Sequence, residues 1–265
     1  MSNDQIQPLK FSERMGYGLG DMASNFFFQT FNIFLLYYYT DVFGISAAAV
    51  GTMFFVTKLW DAVNDPLMGA LSDRTQTRYG KFRPYLLWMA IPYGAMGYIM
   101  FAGPDLDDAG KLIYAWVTYS LMMMLYTAIN VPYSALMGVM TPDSKERTIL
   151  SSFRFVGAFG GGLLISLLVR PMVQYFGVED ETQGFQITMA IFAVVSIVLF
   201  WTTFATTKER VISPPEKNVS LKNDIKILFS NKPWVVLCFA GILTLTSVAL
   251  KSAVTIHYFK YYVQD

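Results

Sequence analysis

LWDAVNDP, residues 59–66, sets two aspartates four residues apart inside AAAVGTMFFVTKLWDAVNDPLMGAL (47–71), a run otherwise apolar enough to cross a bilayer. A carboxylate at bilayer depth costs at least a few kcal/mol unless it is paired or hydrated. At about 100° per residue, Lys58, Asp61, Asn64 and Asp65 fall within an arc of about 120°. Val56, Leu59, Ala62, Val63, Pro66 and Ala70 take the other side. The polar arc therefore faces protein or a water-filled cavity. Lys58 neutralising one aspartate is the purely structural reading. It leaves the second carboxylate and an amide unexplained. Oxygens at i, i+3 and i+4 converge on one spot and suit a hard monovalent cation, Na⁺ for example, or a proton.

The rest of the chain has the same character. Of 265 residues, 54% are hydrophobic, 16% aromatic and only 15% charged, against roughly a quarter charged in a soluble domain. Apolar runs of about 20 residues, enough for a bilayer, recur at 16–39, 46–71, 84–103, 112–139, 150–176, 185–206 and 234–262. Lipid admits only helices or closed barrels. Runs this long and without alternation predict helices. The first is aromatic and lacks a small-residue cleavage pattern, so it reads as a span and not a signal peptide. One histidine, His257, and one cysteine, Cys238, supply no nucleophile–base pair, no metal cluster and no internal disulfide. The chain therefore does not read as an enzyme, and no cofactor is expected beyond a coupling cation.

Charge placement predicts orientation. Fourteen of the twenty basic residues fall in the N-terminus and in the 72–83, 140–149 and 207–232 loops. The alternate loops are acidic: Asp41, PDLDD (104–108) and VEDE (178–181). A multi-pass protein of the cell membrane with a cytoplasmic N-terminus is expected. The stretch TTKERVISPPEKNVSLKND (206–224) is the one candidate linker.

Polar stripes mark three further spans. Tyr17, Asp21, Ser24, Asn25, Phe28 and Asn32 share a face of the first. Tyr119, Tyr126, Thr127, Asn130 and Ser134 share one in the fourth, where Pro132 invites a kink. Arg154 lies within the membrane register of the fifth, near a small-xxx-small pair, Gly157 and Gly161. Such stripes line a pathway or bind helices together. Tyr and Asn suit sugar hydroxyls by stacking and hydrogen bonding, and they also serve as ordinary packing.

The loop GALSDRTQTRYGKFRP (69–84), with Gly69, Asp73, Arg74 and Arg78, resembles the G-x-x-x-D-R-x-x-x-R loop of the major facilitator superfamily. Its plainer reading is a positive-inside anchor. More closely, YYYTDVFG (37–44), WDAVNDPLMG (60–69), RYGKFRP (78–84), YTAINVPYSAL (126–136) and FRF (153–155) stand in the order and spacing of the glycoside–pentoside–hexuronide:cation symporters, typified by melibiose permease. The xyloside and glucuronide permease branch is the nearest in character.

That resemblance implies an all-α membrane protein of the major facilitator fold. Residues 1–206 would form the N-terminal six-helix bundle, 207–232 a cytoplasmic central loop, and 233–265 the seventh helix, starting a C-terminal bundle that the chain lacks. It implies a cation site at Asp61, Asn64, Asp65 and Thr127, and a sugar site at Asn25, Tyr126, Asn130 and Arg154, with Asp21 beside them. Asp73, Arg74 and Arg78 would form a cytoplasmic latch. Asn25 and Asn130 stand where melibiose permease has aspartates, so coupling carries over but galactoside specificity does not. The expected partners are a small-molecule sugar, a coupling Na⁺ or H⁺ and the lipid bilayer, with no nucleic acid. The expected activity is import of a small glycoside or pentoside by alternating access, with a hexuronide or a lysolipid as alternative cargo.

Overall fold

The computed structural model describes residues 8–211, 227 and 229–258. Among them every named element is helical, and the isolated bridge between Thr77 and Gly80 closes a tight turn. One compact unit, residues 1–213, holds α1 (Phe11–Thr30), α2 (Ala47–Arg74), α3 (Arg83–Trp88), α4 (Ala90–Ile99), α5 (Asp108–Met140), α6 (Ser144–Phe176) and α7 (Glu181–Thr206). A second unit, 214–265, holds α8 (Lys232–Tyr258). The all-α fold expected from the sequence is the one that forms. Most of the 207–232 loop and the end of the seventh apolar run lie outside the described residues.

By length and composition, α5, α6 and α7 can each cross a membrane. At about 1.5 Å per residue, the 33 residues of α5 and of α6 exceed the hydrocarbon thickness. Each of the three starts on an aspartate whose carboxylate accepts a backbone N–H: Asp107 from Gly110 at 3.0 Å, Asp143 from Lys145 at 2.9 Å, and Asp180 from Thr182 at 2.8 Å. An anionic cap answers both the orphan donors and the positive end of the helix dipole. The helix α5 runs unbroken through Pro132.

Two apolar runs fold differently from a plain helix. The run 16–39 begins as α1 and then switches to π-helical bonding at Phe31–Leu35 and Tyr38–Val42. There Asn32 Nδ2 donates to the Phe28 carbonyl at 3.0 Å, and Thr40 Oγ1 to that of Leu36 at 2.9 Å. These side chains feed carbonyls that the regular ladder would use. The run 84–103 splits into α3 and α4 around Met89. Pro92 brings no N–H to the Trp88 carbonyl, and the Trp201 indole donates to the Leu87 carbonyl at 3.3 Å.

The α1–α6 crossing is closer than any side chain allows. A Cβ on Gly157 would collide with the Gly18 carbonyl, and one on Gly161 would lie 3.0 Å from the Met22 carbonyl. The α1–α5 crossing is locked reciprocally. Tyr17 and Tyr133 are fully buried and stack with centroids 4.7 Å apart. The Tyr133 hydroxyl donates to the Tyr17 carbonyl at 2.6 Å, and the Tyr17 hydroxyl to that of Tyr133 at 3.2 Å. These contacts hold α1, α5 and α6 in the register that carries the polar stripes.

Candidate functional site

The stripes of α1, α5 and α6 meet. Arg154 Nε donates to Asp21 Oδ2 at 2.7 Å, and Arg154 Nη2 reaches Ser134 Oγ at 3.5 Å. The guanidinium lies over the rings of Tyr133 and Tyr17, 5.0 and 5.9 Å from their centroids. A cation at this depth needs an anion or a π face, and Arg154 has both. Asn25 Nδ2 donates to the Asp21 carbonyl at 2.8 Å, and Asn130 Nδ2 to that of Tyr126 at 3.1 Å. Each asparagine thus satisfies one donor on its own helix. Tyr126 stacks on Phe28 with centroids 5.6 Å apart. Asp21, Arg154, Ser134 and the two buried tyrosines form one cluster, and Tyr126 and Asn130 lie one to two turns along α5 from it.

The α2 arc faces α5. Thr127 Oγ1 donates to Asp65 Oδ1 at 2.8 Å, and Lys58 Nζ lies 3.3 Å from Asp61 Oδ2. The Lys58 side chain is 61% exposed and that of Asp61 15%. The lysine answers only one oxygen. Asp61 Oδ1 and Asn64 Nδ2 are buried with no hydrogen-bond partner. An unsatisfied buried carboxylate oxygen is costly. Turning the Asn64 amide over presents its oxygen at the same place. Two carboxylates, an amide and a hydroxyl fit a monovalent cation or a proton. No group of three His, Cys, Asp or Glu side chains forms a metal cluster among the described residues.

At the end of the bundle near the α2–α3 turn, Asp73 pairs with Lys81 at 2.9 Å. Arg78 lies against the Tyr79 ring, 4.6 Å from its centroid. Arg74 closes the last turn of α2. Spacing could not reveal the group that organises this turn. Glu209 accepts the backbone N–H groups of Lys81, Phe82 and Arg83 at 2.8, 2.8 and 2.9 Å. Arg83 Nη2 donates to the Phe204 carbonyl at 2.7 Å. Two ion pairs lie nearby in the same unit, Arg14–Glu146 at 2.8 Å and Arg210–Glu13 at 2.6 Å. Arg210 and Val211 also donate their N–H groups to the Val139 carbonyl at 2.8 and 2.9 Å. The first residues of the expected 207–232 loop are therefore packed, because their backbone donors and charges find partners on the bundle. The Tyr133 face beneath Arg154 was equally hidden, being a contact between helices.

A family model described as MFS/sugar transport protein matches residues 16–265. YagG of Escherichia coli (strain K12), named provisionally as a glycoside/cation symporter, is 44% identical over 253 residues, 96% of this chain and 55% of its own length. The isoprimeverose transporter of Lactiplantibacillus pentosus is 39% identical, covering 96% of this chain and 54% of its own. A glucuronide carrier protein homolog of Escherichia coli (strain K12) is 32% identical, covering 98% and 57%. The chain spans about half the length of the curated relatives it matches.

Proposed function

Because this chain belongs to the MFS/sugar transport protein family, a family of multi-pass membrane transporters and not of enzymes, we propose that it carries the cation and sugar sites of a cation-coupled sugar symporter. The observation that carries the reading is the Thr127–Asp65 bond at 2.8 Å. It ties the carboxylate pair of α2 to the segment of α5 that presents Tyr126 and Asn130. Asp61, Asn64, Asp65 and Thr127 hold the coupling Na⁺ or H⁺. Asp21, Asn25, Tyr126, Asn130 and Arg154 hold the sugar. Cation binding fixes Thr127 and so the neighbouring sugar side chains, and linkage makes the effect reciprocal. The N-terminus is cytoplasmic, on the strength of the basic loops, and Asp73, Arg74 and Arg78 act there as a latch between helix ends.

The cargo is an uncharged small glycoside or pentoside. Asp21 already neutralises Arg154, and a near-neutral pocket favours hydroxyls over a carboxylate. The name of the isoprimeverose transporter agrees with this reading. A hexuronide is the second reading. Arg154 meets Asp21 through Nε, and its Nη2 reaches only Ser134, at 3.5 Å, so part of the guanidinium fork remains for a substrate carboxylate. The test is counterflow in vesicles holding the complete protein that contains this chain. Labelled isoprimeverose should exchange faster with sodium or at lower pH, and methyl β-D-glucuronide should compete poorly. Exchange indifferent to both cations sinks the coupling reading. Strong preference for the glucuronide replaces the neutral cargo with a hexuronide.

A further inference from the structure

A cavity of about 370 Å³ opens at the other end of the bundle, between the π-helical end of the first span, the end of α6 and the start of α7. No role described above uses it. Its aromatic walls are Phe34, Tyr37 and Phe185, and its polar groups are Arg170, Gln174 and Glu181. The Tyr37 hydroxyl donates to both Glu181 oxygens, at 3.0 and 3.1 Å. That bond fixes the Tyr37 ring 6.5 Å from Phe185. Phe185, Val169 and Val173 are buried and close the floor. Arg170 forms no ion pair among the described residues, although Glu181 lines the same cavity. Its size lies within the range of small-molecule sites. Twelve residues of the first span separate Asn25 from Tyr37, a rise of roughly 15–18 Å, so this cavity is separate from the Asp21–Arg154 cluster.

We propose that this cavity is a second glycosyl-binding site, an entry subsite at the outer mouth of the carrier. The proposal rests on the sugar-carrier reading and extends it. Ring faces at Phe34 and Tyr37 stack on the apolar face of a pyranose. Arg170 and Gln174 donate to its hydroxyls, and Glu181 accepts from them. The opposite charges of Arg170 and Glu181 leave the site near neutral, as an uncharged sugar requires. The π-helical turn at Phe31–Leu35 widens the helix there, so that Tyr37, beyond it, leaves the line that a plain continuation of α1 would give.

The test is cysteine protection in the complete protein with its native cysteines replaced by serine. Ile33, 46% exposed on the rim, becomes the reporter Ile33→Cys, labelled by a membrane-impermeant maleimide. The probes are isoprimeverose, methyl β-D-xyloside and methyl β-D-glucuronide. At least one neutral sugar should slow labelling, and should still do so when Arg154→Ala has disabled the central site. Asn130→Trp replaces that variant if it fails to reach the membrane. Adding Arg170→Gln should raise the half-protecting concentration about ten-fold, the loss of one charge-assisted hydrogen bond. Lack of protection by all three sugars overturns the proposal. So does protection that vanishes with Arg154→Ala, or that survives Arg170→Gln and Phe34→Ala together. A parallel reporter, Ser134→Cys, separates the two readings. If no sugar protects it, the central sugar site fails while the Ile33→Cys result stands.

Discussion

Asp61 and Asp65 differ in their surroundings although one helix turn separates them. Asp65 has the Thr127 hydroxyl, and Asp61 has Lys58 on one oxygen and nothing on the other. If both bind the coupling cation, Asp65→Asn and Asp61→Asn should each abolish cation-driven accumulation. Sugar binding, measured without a gradient, should persist and fall only by the cation–sugar coupling, about ten-fold, because neither aspartate is among the sugar's own contacts. Concentrative uptake with normal sodium or pH dependence in both variants would remove the assignment. Arg154→Lys tests the other cluster. An ammonium cannot keep the Asp21 contact, the Ser134 contact and the Tyr133 face together, so equilibrium sugar binding should weaken at least about ten-fold. Unchanged affinity would place the sugar elsewhere. The charged arc of α2 was legible because helical periodicity is local. That Arg154 needs an anion was legible, since a buried guanidinium demands one, and Asp21 already stood on the polar stripe of the first span. The Tyr133 face and the Thr127–Asp65 distance were not, because each is set by helices packing across residues far apart in sequence.

Helix packing decides which glycines matter. Gly157 and Gly138 both sit inside long helices of this bundle. A Cβ at Gly157 runs into the Gly18 backbone, whereas one at Gly138 meets nothing within 4 Å. Backbone cannot rotate away as a flexible side chain can. Gly157→Ala should therefore lower the Tm of the detergent-solubilised protein by several degrees, an overpacking cost of about 1–3 kcal/mol. Gly138→Ala should leave it unchanged or raise it, since alanine is the better helix former by about 1 kcal/mol. Equal Tm values for the two would show that α1 and α6 are not in close register. The sequence already showed the small-xxx-small spacing at 157 and 161 and every long apolar run. It did not show the π-helical end of the first span or the α3–α4 break. Both depend on how single residues, Asn32, Thr40, Pro92 and Trp201, redistribute carbonyl acceptors, and apolar periodicity carries no record of that.

Among the described residues of the first unit, the ion pairs Arg14–Glu146, Asp73–Lys81 and Arg210–Glu13 gather at the end of the bundle that holds the α2–α3 turn, and Glu209 organises that turn. A carboxylate receiving three backbone N–H groups is held more firmly than one in an exposed ion pair, because the donors are fixed by the chain. Glu209 thereby ties the end of α7 to the start of α3, while Asp73–Lys81 joins the end of α2 to the same turn. Gly80, at φ +110°, lets the turn wrap the carboxylate, and a Cβ there would lie 2.5 Å from it. If this end opens and closes during transport, its contacts contribute to one conformation and set a rate without touching the sugar. Glu209→Gln keeps the shape and one good acceptor, so its effect should be modest, about two-fold on turnover. Glu209→Ala leaves three donors without their acceptor, at about 1–3 kcal/mol. It should change the maximal transport rate about five-fold or more, with sugar affinity at equilibrium unchanged. Asp73→Ala should act in the same direction and more weakly, since its carboxylate is 48% exposed and exposed pairs contribute little. The measurement is turnover and equilibrium binding on the same vesicles. A large affinity loss with turnover intact would mean that this end contacts the sugar, and unequal signs for Glu209→Ala and Asp73→Ala would mean that the two carboxylates hold different conformations.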